Sequence, residues 1–513
     1  MLLKKLLLLP LLYCILFVSP ALCQENKQPN IIVFLVDDMG LMDTSVPFLS
    51  DEKGQPVRYP LNNYYRTPNM ERLAALGTRF STFYAQSVCS PSRASLITGQ
   101  NATRHHTTQW IDPHRNNRGE FGPEKWNWEG LSSDNSQTLP AVLQRQEYRT
   151  IYVGKAHFGP FGSKGSDPIN IGFDVNIGGT AIGHPGSYLG IDNYAHKTAA
   201  GKLVQQVPHL EKYHQTDTFL TEALTIEAKN EVQKAVAKQQ PFFLEMAHYA
   251  LHSPFMFDPR FRKNYAGGKF SEDEQKFASL VEGMDHSLGQ LMDQLEELGV
   301  AENTLIIFLG DNGSDAPLGG LHEVASSAPL RGKKGTHYEG GMRIPFIAAW
   351  AKPSPQNQWQ VKMPIKSAFI NQQLGTIMDI YPTIMDLLSL KVPANYAVDG
   401  FSLKHNFSGR RNTAKPPTFL MHFPHDHRSK YFTSFRDGDW KLVYHYFPEM
   451  NPALTRYELF NLKTDPYEQT NLAPTKKEMV KKMVHEMAEK LEKEGALYPE
   501  MNKRKLKPIY GGD

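Results

Sequence analysis

The feature that most constrains the fold is a set of short, continuous apolar runs that end in polar residues. Ile31 to Val36 ends in two aspartates, and Thr304 to Leu309 repeats this arrangement much later in the chain. Arg149 to Val153 and Pro241 to Tyr249 are further runs of this kind. Such runs are typical of strands that are buried on both faces of a parallel sheet. The sequence therefore predicts an α/β fold.

Longer segments between these strands have helical patterns. Thr216 to Lys238 is one of them, and Ser271 to Leu298 is a long amphipathic helix. Ser271 and Glu274 are spaced as a capping box, and Gly299 ends the pattern. Thr67-Pro68 is expected to cap a shorter helix from Asn69 to Leu76.

Oxygen-bearing side chains follow two of the predicted strands. Asp37 and Asp38 follow the first strand, and Asp311 and Asn312 follow Gly310 at the end of the last. Open α/β sheets bind ligands at the carboxyl ends of their strands. Paired aspartates are also common in surface turns. Together, however, the four side chains form an all-oxygen set that suits Ca²⁺ or Mg²⁺ rather than zinc.

The stretch from Cys89 to Gly99 also predicts a site. Ser90 and Pro91 have the order of a helix N-cap followed by a proline at the first helical position. Cys89 is then at a helix start, where free N–H groups and the macrodipole favour an anion. Arg93 offers a planar fork to an oxyanion. The alternative is a buried structural cysteine beside an ordinary helix.

The N-terminus has the pattern of a secretory signal peptide over residues 1–23, with two lysines, an apolar run and a small-x-small cleavage site. A lipid anchor at Cys23 is disfavoured because Leu22 precedes it. The signal contains two of the three cysteines, which leaves Cys89 as the single cysteine of an exported chain without an intramolecular disulfide. We therefore expect a periplasmic or secreted protein.

Charge and hydropathy exclude two classes of partner. Removing Lys4 and Lys5, two positive charges in a segment without acids, lowers the formal charge from +3 to +1. A nucleic-acid-binding protein would need a basic field, so no nucleic-acid partner is expected. No later stretch is long and apolar enough to span a bilayer, so stable membrane insertion is not expected either.

Basic side chains follow the other strands and loops. Lys155 and His157 come directly after one strand, and on an extended chain residues two apart face the same way. His252 follows another strand in the same manner. His184 lies in the loop-rich region 159–208, where a solvent-facing side chain is expected rather than a substrate contact.

Two stretches resemble the signatures of the type I, formylglycine-dependent sulfatases of the alkaline-phosphatase-like superfamily. The first is Cys89 to Gly99, which contains Cys-x-Pro-x-Arg, and in that family this cysteine is oxidised to Cα-formylglycine. The second is Lys334-Gly335-Thr336 followed by Glu339 to Pro345, with the pattern Glu-Gly-Gly-x-Arg-x-Pro. The resemblance extends from Ile31 to about Leu472. It implies a large, mixed, mainly parallel sheet sandwiched by helices, and a smaller C-terminal α+β domain with an antiparallel sheet.

The resemblance also implies a role for each candidate residue. A divalent cation, Ca²⁺ or alternatively Mg²⁺, would be held by Asp37, Asp38, Asp311, Asn312 and an oxygen of the residue derived from Cys89. The catalytic set would be Cys89 as the formylglycine nucleophile, Arg93 holding its hydrate, Lys155 and Lys334 binding sulfate, His157 assisting turnover and His252 protonating the leaving alcohol. A formylglycine-generating maturation enzyme is an implied partner.

The C-terminal part has a different pattern. The catalytic domain is expected over 28–405 and an antiparallel-sheet subdomain over 406–513. Residues 431–435 and 440–446 read as a hairpin with its turn at Asp437-Gly438, and an apolar stripe marks a closing helix over 476–493. His422, His425 and His427 have the spacing of a metal cluster, but no fourth ligand is evident, so a contribution to the substrate pocket is favoured.

These features predict a sulfuric ester hydrolase that removes O-sulfate from a sulfated saccharide, most like an exported carbohydrate sulfatase. One alternative is a formylglycine-dependent phosphodiester or phosphonate hydrolase, which would share the nucleophile and the fold. Another is a non-catalytic protein that binds sulfated glycans and leaves Cys89 unmodified.

Overall fold

The computed structural model describes residues 28–131, 136–451 and 454–511. The predicted signal peptide, residues 1–23, lies outside them. In chain order the strands are β1 (Asn30–Val36), β2 (Thr78–Phe80), β3 (Phe83–Tyr84), β4 (Arg149–Gly154), β5 (Val175–Ile177), β6 (His196–Lys197), β7 (Leu203–Val204), β8 (Phe242–His248), β9 (Thr304–Gly310), β10 (Phe346–Trp350), β11 (Phe369–Asn371), β12 (Gly375–Thr376), β13 (Thr418–Phe423), β14 (Phe432–Asp437), β15 (Trp440–His445), β16 (Tyr457–Asn461), β17 (Glu500–Met501) and β18 (Arg504–Lys505).

The helices lie between groups of these strands along the chain. They are α1 (Pro60–Tyr64), α2 (Pro68–Leu76), α3 (Cys89–Thr98), α4 (Ala102–His105), α5 (Leu139–Gln144), α6 (Leu220–Ala237), α7 (Glu272–Glu297), α8 (Glu339–Met342), α9 (Gln358–Lys362), α10 (Ile380–Leu388), α11 (Lys404–Phe407) and α12 (Lys477–Glu494). No helix within the described ranges is long and apolar enough to cross a membrane.

A mixed sheet forms the centre of the molecule. In the part of the chain that the structure describes, it has eight strands in the order β11-β2-β10-β9-β1-β8-β4-β5. The neighbours from β9 to β5 are parallel, whereas β10 is antiparallel to both β9 and β2. The predicted large, mainly parallel sheet is confirmed.

Both faces of the sheet are covered, which explains the continuous apolar runs. All seven residues of β1 are buried. Ile32, Phe34 and Val36 point to one hydrophobic cluster, which includes side chains of α2, α6 and α7. The alternate residues, Ile31 and Leu35 among them, point to a second cluster with α3, α5 and α10. Side chains in a strand alternate between faces, so each face buries half of the run.

The register of the three central strands positions the site. Val36 at the end of β1 pairs with His248 of β8 on one side and with Gly310 of β9 on the other. The three strands are parallel, so their carboxyl ends are level. The residues that follow them, including Asp37 and Asp311, therefore emerge at the same edge of the sheet.

The antiparallel sheet predicted for the C-terminal region is present as β13-β14-β15-β16. One face contributes Phe419 and Met421 to the second cluster of the central sheet. The other face packs against the apolar stripe of α12. Asp437 pairs with Trp440, so the two turn residues of the hairpin are Gly438 and Asp439 and not Asp437-Gly438 as predicted. The boundary between residues 405 and 406 stays a prediction.

Several local predictions were wrong. Helix α3 begins at Cys89 after Val88, so Ser90 is inside the helix and does not cap it. The Ser90 hydroxyl instead accepts a hydrogen bond from the backbone N–H of Ile111. The loop region 159–208 also supplies β5, the edge strand beside β4.

Candidate active site

Three carboxylates meet where β1 and β9 end. Asp37, Asp38 and Asp311 are fully buried, and each offers an oxygen within 4.8 Å of the others. The Asp38 backbone N–H donates to Asp311 Oδ1 at 3.0 Å, and Asn312 Nδ2 donates to Asp38 Oδ1 at 2.9 Å. Asp37 Oδ1 and Asn312 Oδ1 are buried and accept no hydrogen bond. Unpartnered buried oxygens beside carboxylates suit a hard divalent cation. Four of the five predicted metal ligands are thus brought together.

Three cationic side chains face these carboxylates. Lys155 Nζ is 2.6 Å from Asp37, Lys334 Nζ is 2.7 Å from Asp38, and Arg93 Nε is 2.9 Å from Asp311 Oδ2. With all six groups ionised, the three carboxylates and the three cations have no net charge. A site that is electrically balanced can accept a divalent cation together with the negative charge of an anionic substrate.

The buried charges perturb one another. Burial raises the pKa of Asp38, but Lys334 and His252 outweigh it and hold that pKa well below its usual range. Burial also raises the pKa of Asp37 well above its usual range, and Lys155 only partly opposes this. Perturbed carboxylates of this kind concentrate in functional sites.

Cys89 begins helix α3 at the same edge of the sheet, and it is only 3% exposed. Its Sγ is 3.3 Å from His157 Nδ1, and His157 Nε2 is 2.6 Å from the carbonyl oxygen of Ile111. A carbonyl can only accept, so Nε2 carries a proton. Burial lowers the pKa of His157 well below its usual value. The ring is therefore neutral, and the lone pair of Nδ1 faces residue 89.

His252 also lies beside the carboxylates. Its Nδ1 is 2.9 Å from the carbonyl oxygen of Ser253, and its Nε2 is 3.6 Å from Asp38 Oδ2. Burial, and then Lys334, lowers the pKa of His252 well below its usual value. All the predicted catalytic side chains are therefore placed around one centre.

The solvent-facing interpretation of His184 was wrong. Its ring stacks on the ring of His252, with centroids 5.3 Å apart and planes 7° apart. Gln205 Nε2 is 2.7 Å from His184 Nε2. The sequence did not indicate this contact, because the two histidines come from loops that are far apart in the chain.

A cavity of about 640 Å³ opens above this centre. Cys89, His157, His252 and Lys334 contribute to its lining. Lining residues that the sequence analysis missed are Trp110, Asp112, His114, Asp315 and Arg428. Asp315 could have been found, since it follows Asp311 by only four residues. Arg428 could not, because only the packing of the C-terminal sheet brings it here.

The three histidines between β13 and β14 separate in space. Only His427 lines the cavity. His422 contacts Thr433 and the Leu497 carbonyl, whereas His425 contacts Thr108. Among the described residues, none of the three belongs to a group that could hold a metal ion. The expected contribution to the pocket therefore applies to His427 alone.

The fold and the site thus bring a buried group of carboxylates that could hold a metal ion to the base of an open cavity. The model of the sulfatase family matches residues 29–390, and the model of the C-terminal region of N-sulphoglucosamine sulphohydrolase matches residues 333–496. The chain belongs to the sulfatase family.

Individual relatives agree with this assignment. The chain is 32% identical to N-acetylgalactosamine-6-sulfatase of Mus musculus over 74% of its own length and 66% of that protein, so it spans about two thirds of that relative. It is 26% identical to a sulfatase of Formosa agariphila over 89% of its length and 88% of that protein. A solved structure of Ps i-CgsB in complex with k-i-k-neocarrahexaose is similar, with a TM-score of 0.71, 26% identity and coverage of 93% and 96% of the two chains.

Proposed function

We propose that this chain removes O-sulfate from sulfated saccharides. The observation that carries the proposal is the position of Cys89 between a buried carboxylate centre and a cavity lined by lysine and histidine side chains. The named relatives support the choice of a saccharide. One is an N-acetylgalactosamine-6-sulfatase, and a similar structure was solved with an oligosaccharide.

A divalent cation, Ca²⁺ or Mg²⁺, would be held by the carboxylates of Asp37, Asp38 and Asp311, by Asn312 Oδ1 and by an oxygen of residue 89. The unpartnered buried oxygens of Asp37 and Asn312 support this assignment. When bound, the cation supplies Lewis-acid stabilisation of charge on the sulfate group.

Residue 89 would act after conversion of Cys89 to formylglycine, whose hydrate supplies one hydroxyl to attack sulfur and a second to release sulfate. His157 Nδ1 is placed to accept a proton from a hydroxyl at this position. Lys155 and Lys334 would bind the sulfate oxygens. Because His252 Nδ1 faces the Ser253 carbonyl, Nε2 carries a proton only when the ring is doubly protonated, a form that the negative charges of Asp38 and of a bound sulfate ester favour. From that form His252 Nε2 would deliver a proton to the leaving alcohol as the sulfur–oxygen bond to the sugar breaks.

Conversion of Cys89 requires access by the maturation enzyme. The side chain is 3% exposed at the start of α3, so we infer that the modification precedes folding. The signal-peptide pattern of residues 1–23 supports maturation during export to the periplasm or the cell exterior.

The test is sulfate release by protein co-expressed with a formylglycine-generating enzyme. Conversion is measured by the mass of the peptide that spans Cys89. The substrates are 4- and 6-O-sulfated galactose and N-acetylgalactosamine, carrageenan oligosaccharides, and a phosphodiester for comparison. We expect sulfate release from a saccharide, its loss on treatment with EDTA, and recovery with Ca²⁺ or Mg²⁺.

Other outcomes would overturn the proposal. Cleavage of the phosphodiester alone, by fully converted protein, would assign the chain to a phosphodiester hydrolase. Saccharide binding without any hydrolysis, with Cys89 unmodified after co-expression, would indicate a glycan-binding protein. EDTA should also lower the melting temperature, because a cation that binds only the folded chain stabilises it, and EDTA removes that cation. That readout does not depend on turnover.

A further inference from the structure

Asp315 and Arg428 form a bidentate ion pair in the wall of the cavity. Arg428 Nη1 is 2.5 Å from Asp315 Oδ1, and Nη2 is 2.9 Å from Oδ2. The Arg428 side chain is 30% exposed and that of Asp315 is 18% exposed, and both line the cavity. The pair therefore presents donors and acceptors to whatever occupies the cavity.

The pair is anchored to two residues of the sulfate-binding centre. The backbone N–H of Asp315 donates to the carbonyl of Asp38 at 3.4 Å, and Arg428 Nη1 also donates to the carbonyl of Lys334 at 3.2 Å. The Lys334 ammonium lies at the centre itself. The pair is therefore bound to the backbone of two residues whose side chains lie at the centre, and it lines the same cavity as Cys89.

Gly335 allows the segment that carries Arg428 to lie close to the loop that carries Lys334. Gly335 has φ +76°, and a Cβ at this position would meet the His427 ring at 2.7 Å and Arg428 Cδ at 3.2 Å. The Ser429 N–H donates to the Gly335 carbonyl at 3.0 Å. The segment that carries Arg428 is thus packed closely against the Lys334 loop.

We propose that the Asp315–Arg428 pair binds neighbouring hydroxyl groups of the sugar that carries the sulfate and selects saccharides over other sulfate esters. A hydroxyl both donates and accepts, and a guanidinium beside a carboxylate offers the complementary groups side by side. The proposal deepens the function proposed above and rests on it. It names two specificity residues that come from different parts of the fold.

The experiment compares two substrates on the same preparation of converted enzyme. One is the sulfated galactose or N-acetylgalactosamine with the highest turnover, and the other is 4-nitrophenyl sulfate, which has no free hydroxyl. We expect R428K and D315N to lower the ratio of kcat/KM for the saccharide to that for the aryl ester by roughly 10- to 100-fold, the scale of hydrogen bonds to charged groups. Most of the change should be a higher KM for the saccharide.

This ratio does not depend on the amount of folded or converted enzyme, so partial misfolding of a variant does not affect it. Arg104 and Asp399 provide a matched control, because they form a similar pair away from the cavity, at 2.7 and 2.9 Å, with side chains 25% and 12% exposed. R104K should leave the ratio unchanged. Ratios within about 3-fold of the wild type in both R428K and D315N would overturn the inference. Loss of saccharide hydrolysis in the wild type would instead contradict the proposed function.

Discussion

At the scale of single residues, the number of hydroxyl groups on residue 89 decides whether the proposed reaction can complete a turnover. The proposed chemistry needs two hydroxyls on one carbon, one to attack sulfur and one to expel the sulfate. We predict that C89S, with one hydroxyl, releases one equivalent of the alcohol and no sulfate, and that it retains one sulfo group on the protein. C89A should neither turn over nor gain mass. Sulfate release and intact-protein mass measure both outcomes.

The control for C89S and C89A is their melting temperature, which reports on the fold. Cys89 makes no disulfide, so we expect both variants to keep the melting temperature of unconverted wild-type protein within a few degrees. Sustained sulfate release by C89A would refute the assignment of residue 89 as the nucleophile.

His252 gives a second prediction at this scale, based on the leaving group. A sugar alcohol is a poor leaving group and needs a proton, whereas 4-nitrophenolate leaves without one. Replacing His252 with glutamine should lower kcat for the saccharide sulfate by about 10²–10⁴-fold and for 4-nitrophenyl sulfate far less. H485Q, which alters an exposed histidine of α12, should change neither rate. Equal losses on both esters would show that His252 is not the proton donor.

At the scale of elements, α2 depends on a residue of α7. Thr67 was expected to cap α2, but its hydroxyl contacts Thr44 and Ser45, and it makes no cap bond. Asp285 of α7 caps the N-terminus of α2 instead. Its carboxylate accepts from the backbone N–H of Asn69 at 3.0 Å and of Met70 at 2.7 Å. Two helix donors that would otherwise be buried without partners are thus satisfied from another helix.

We predict that D285A lowers the free energy of unfolding by about 2–5 kcal/mol, because it leaves two buried donors unsatisfied. Urea denaturation measures the loss. The matched control is S271A at the exposed N-cap of α7, which should cost about 1 kcal/mol. A loss in D285A no larger than in S271A would contradict this account.

Asp285 also predicts a dependence on pH. Burial raises its pKa to about 7, above the ordinary value of an unfolded aspartate. The folded state then binds the extra proton, so its contribution falls as pH rises from about 4 to 7. D285N removes the titrating group, and the wild type should therefore lose more stability than D285N over this interval.

The sequence predicted those elements in which local pattern and burial agree. The strands β1, β4, β8 and β9 are continuous apolar runs because helices cover both faces of the sheet. Strands such as β2, β10 and β11 were not predicted. They are short or lie beside the second signature, and only their pairing with neighbours defines them.

Local sequence patterns also predicted the geometry of the candidate site only in part. Lys155 and His157 were expected to face one way on an extended chain, yet β4 ends at Gly154 and His157 has φ +57°. The two side chains reach the centre through a turn. The resemblance to a family pointed to residues that the structure brings together, but the local sequence pattern did not explain how they meet. Contacts from distant loops, such as those of His184 and Arg428, leave no local pattern in the sequence.

At the scale of the whole molecule, a buried charge network joins the C-terminal sheet to the loop of the second signature. Lys441 of β15 lies 3.0 Å from Glu339 of α8 and 2.6 Å from Glu468. Glu468 also accepts from the Glu339 backbone N–H at 2.7 Å. Glu339 begins α8, five residues after Lys334, so the network connects the C-terminal region with the segment that carries the lysine proposed to bind sulfate.

We predict that K441M lowers the free energy of unfolding by about 3–5 kcal/mol, because Glu339 and Glu468 would then be buried without the cation they share. Burial already raises the pKa of Glu468 to about 7 against the effect of Lys441. Removing Lys441 raises the pKa of Glu468 further. Protonation of Glu468 then relieves its repulsion with Glu339. The loss of unfolding free energy in K441M should therefore be smaller at pH 5 than at pH 8. K352M, which breaks an exposed pair with Glu302, should cost less than about 1 kcal/mol at either pH. Urea denaturation at both pH values tests this. A K441M deficit as small as that of K352M would mean that the network does not hold the two parts together.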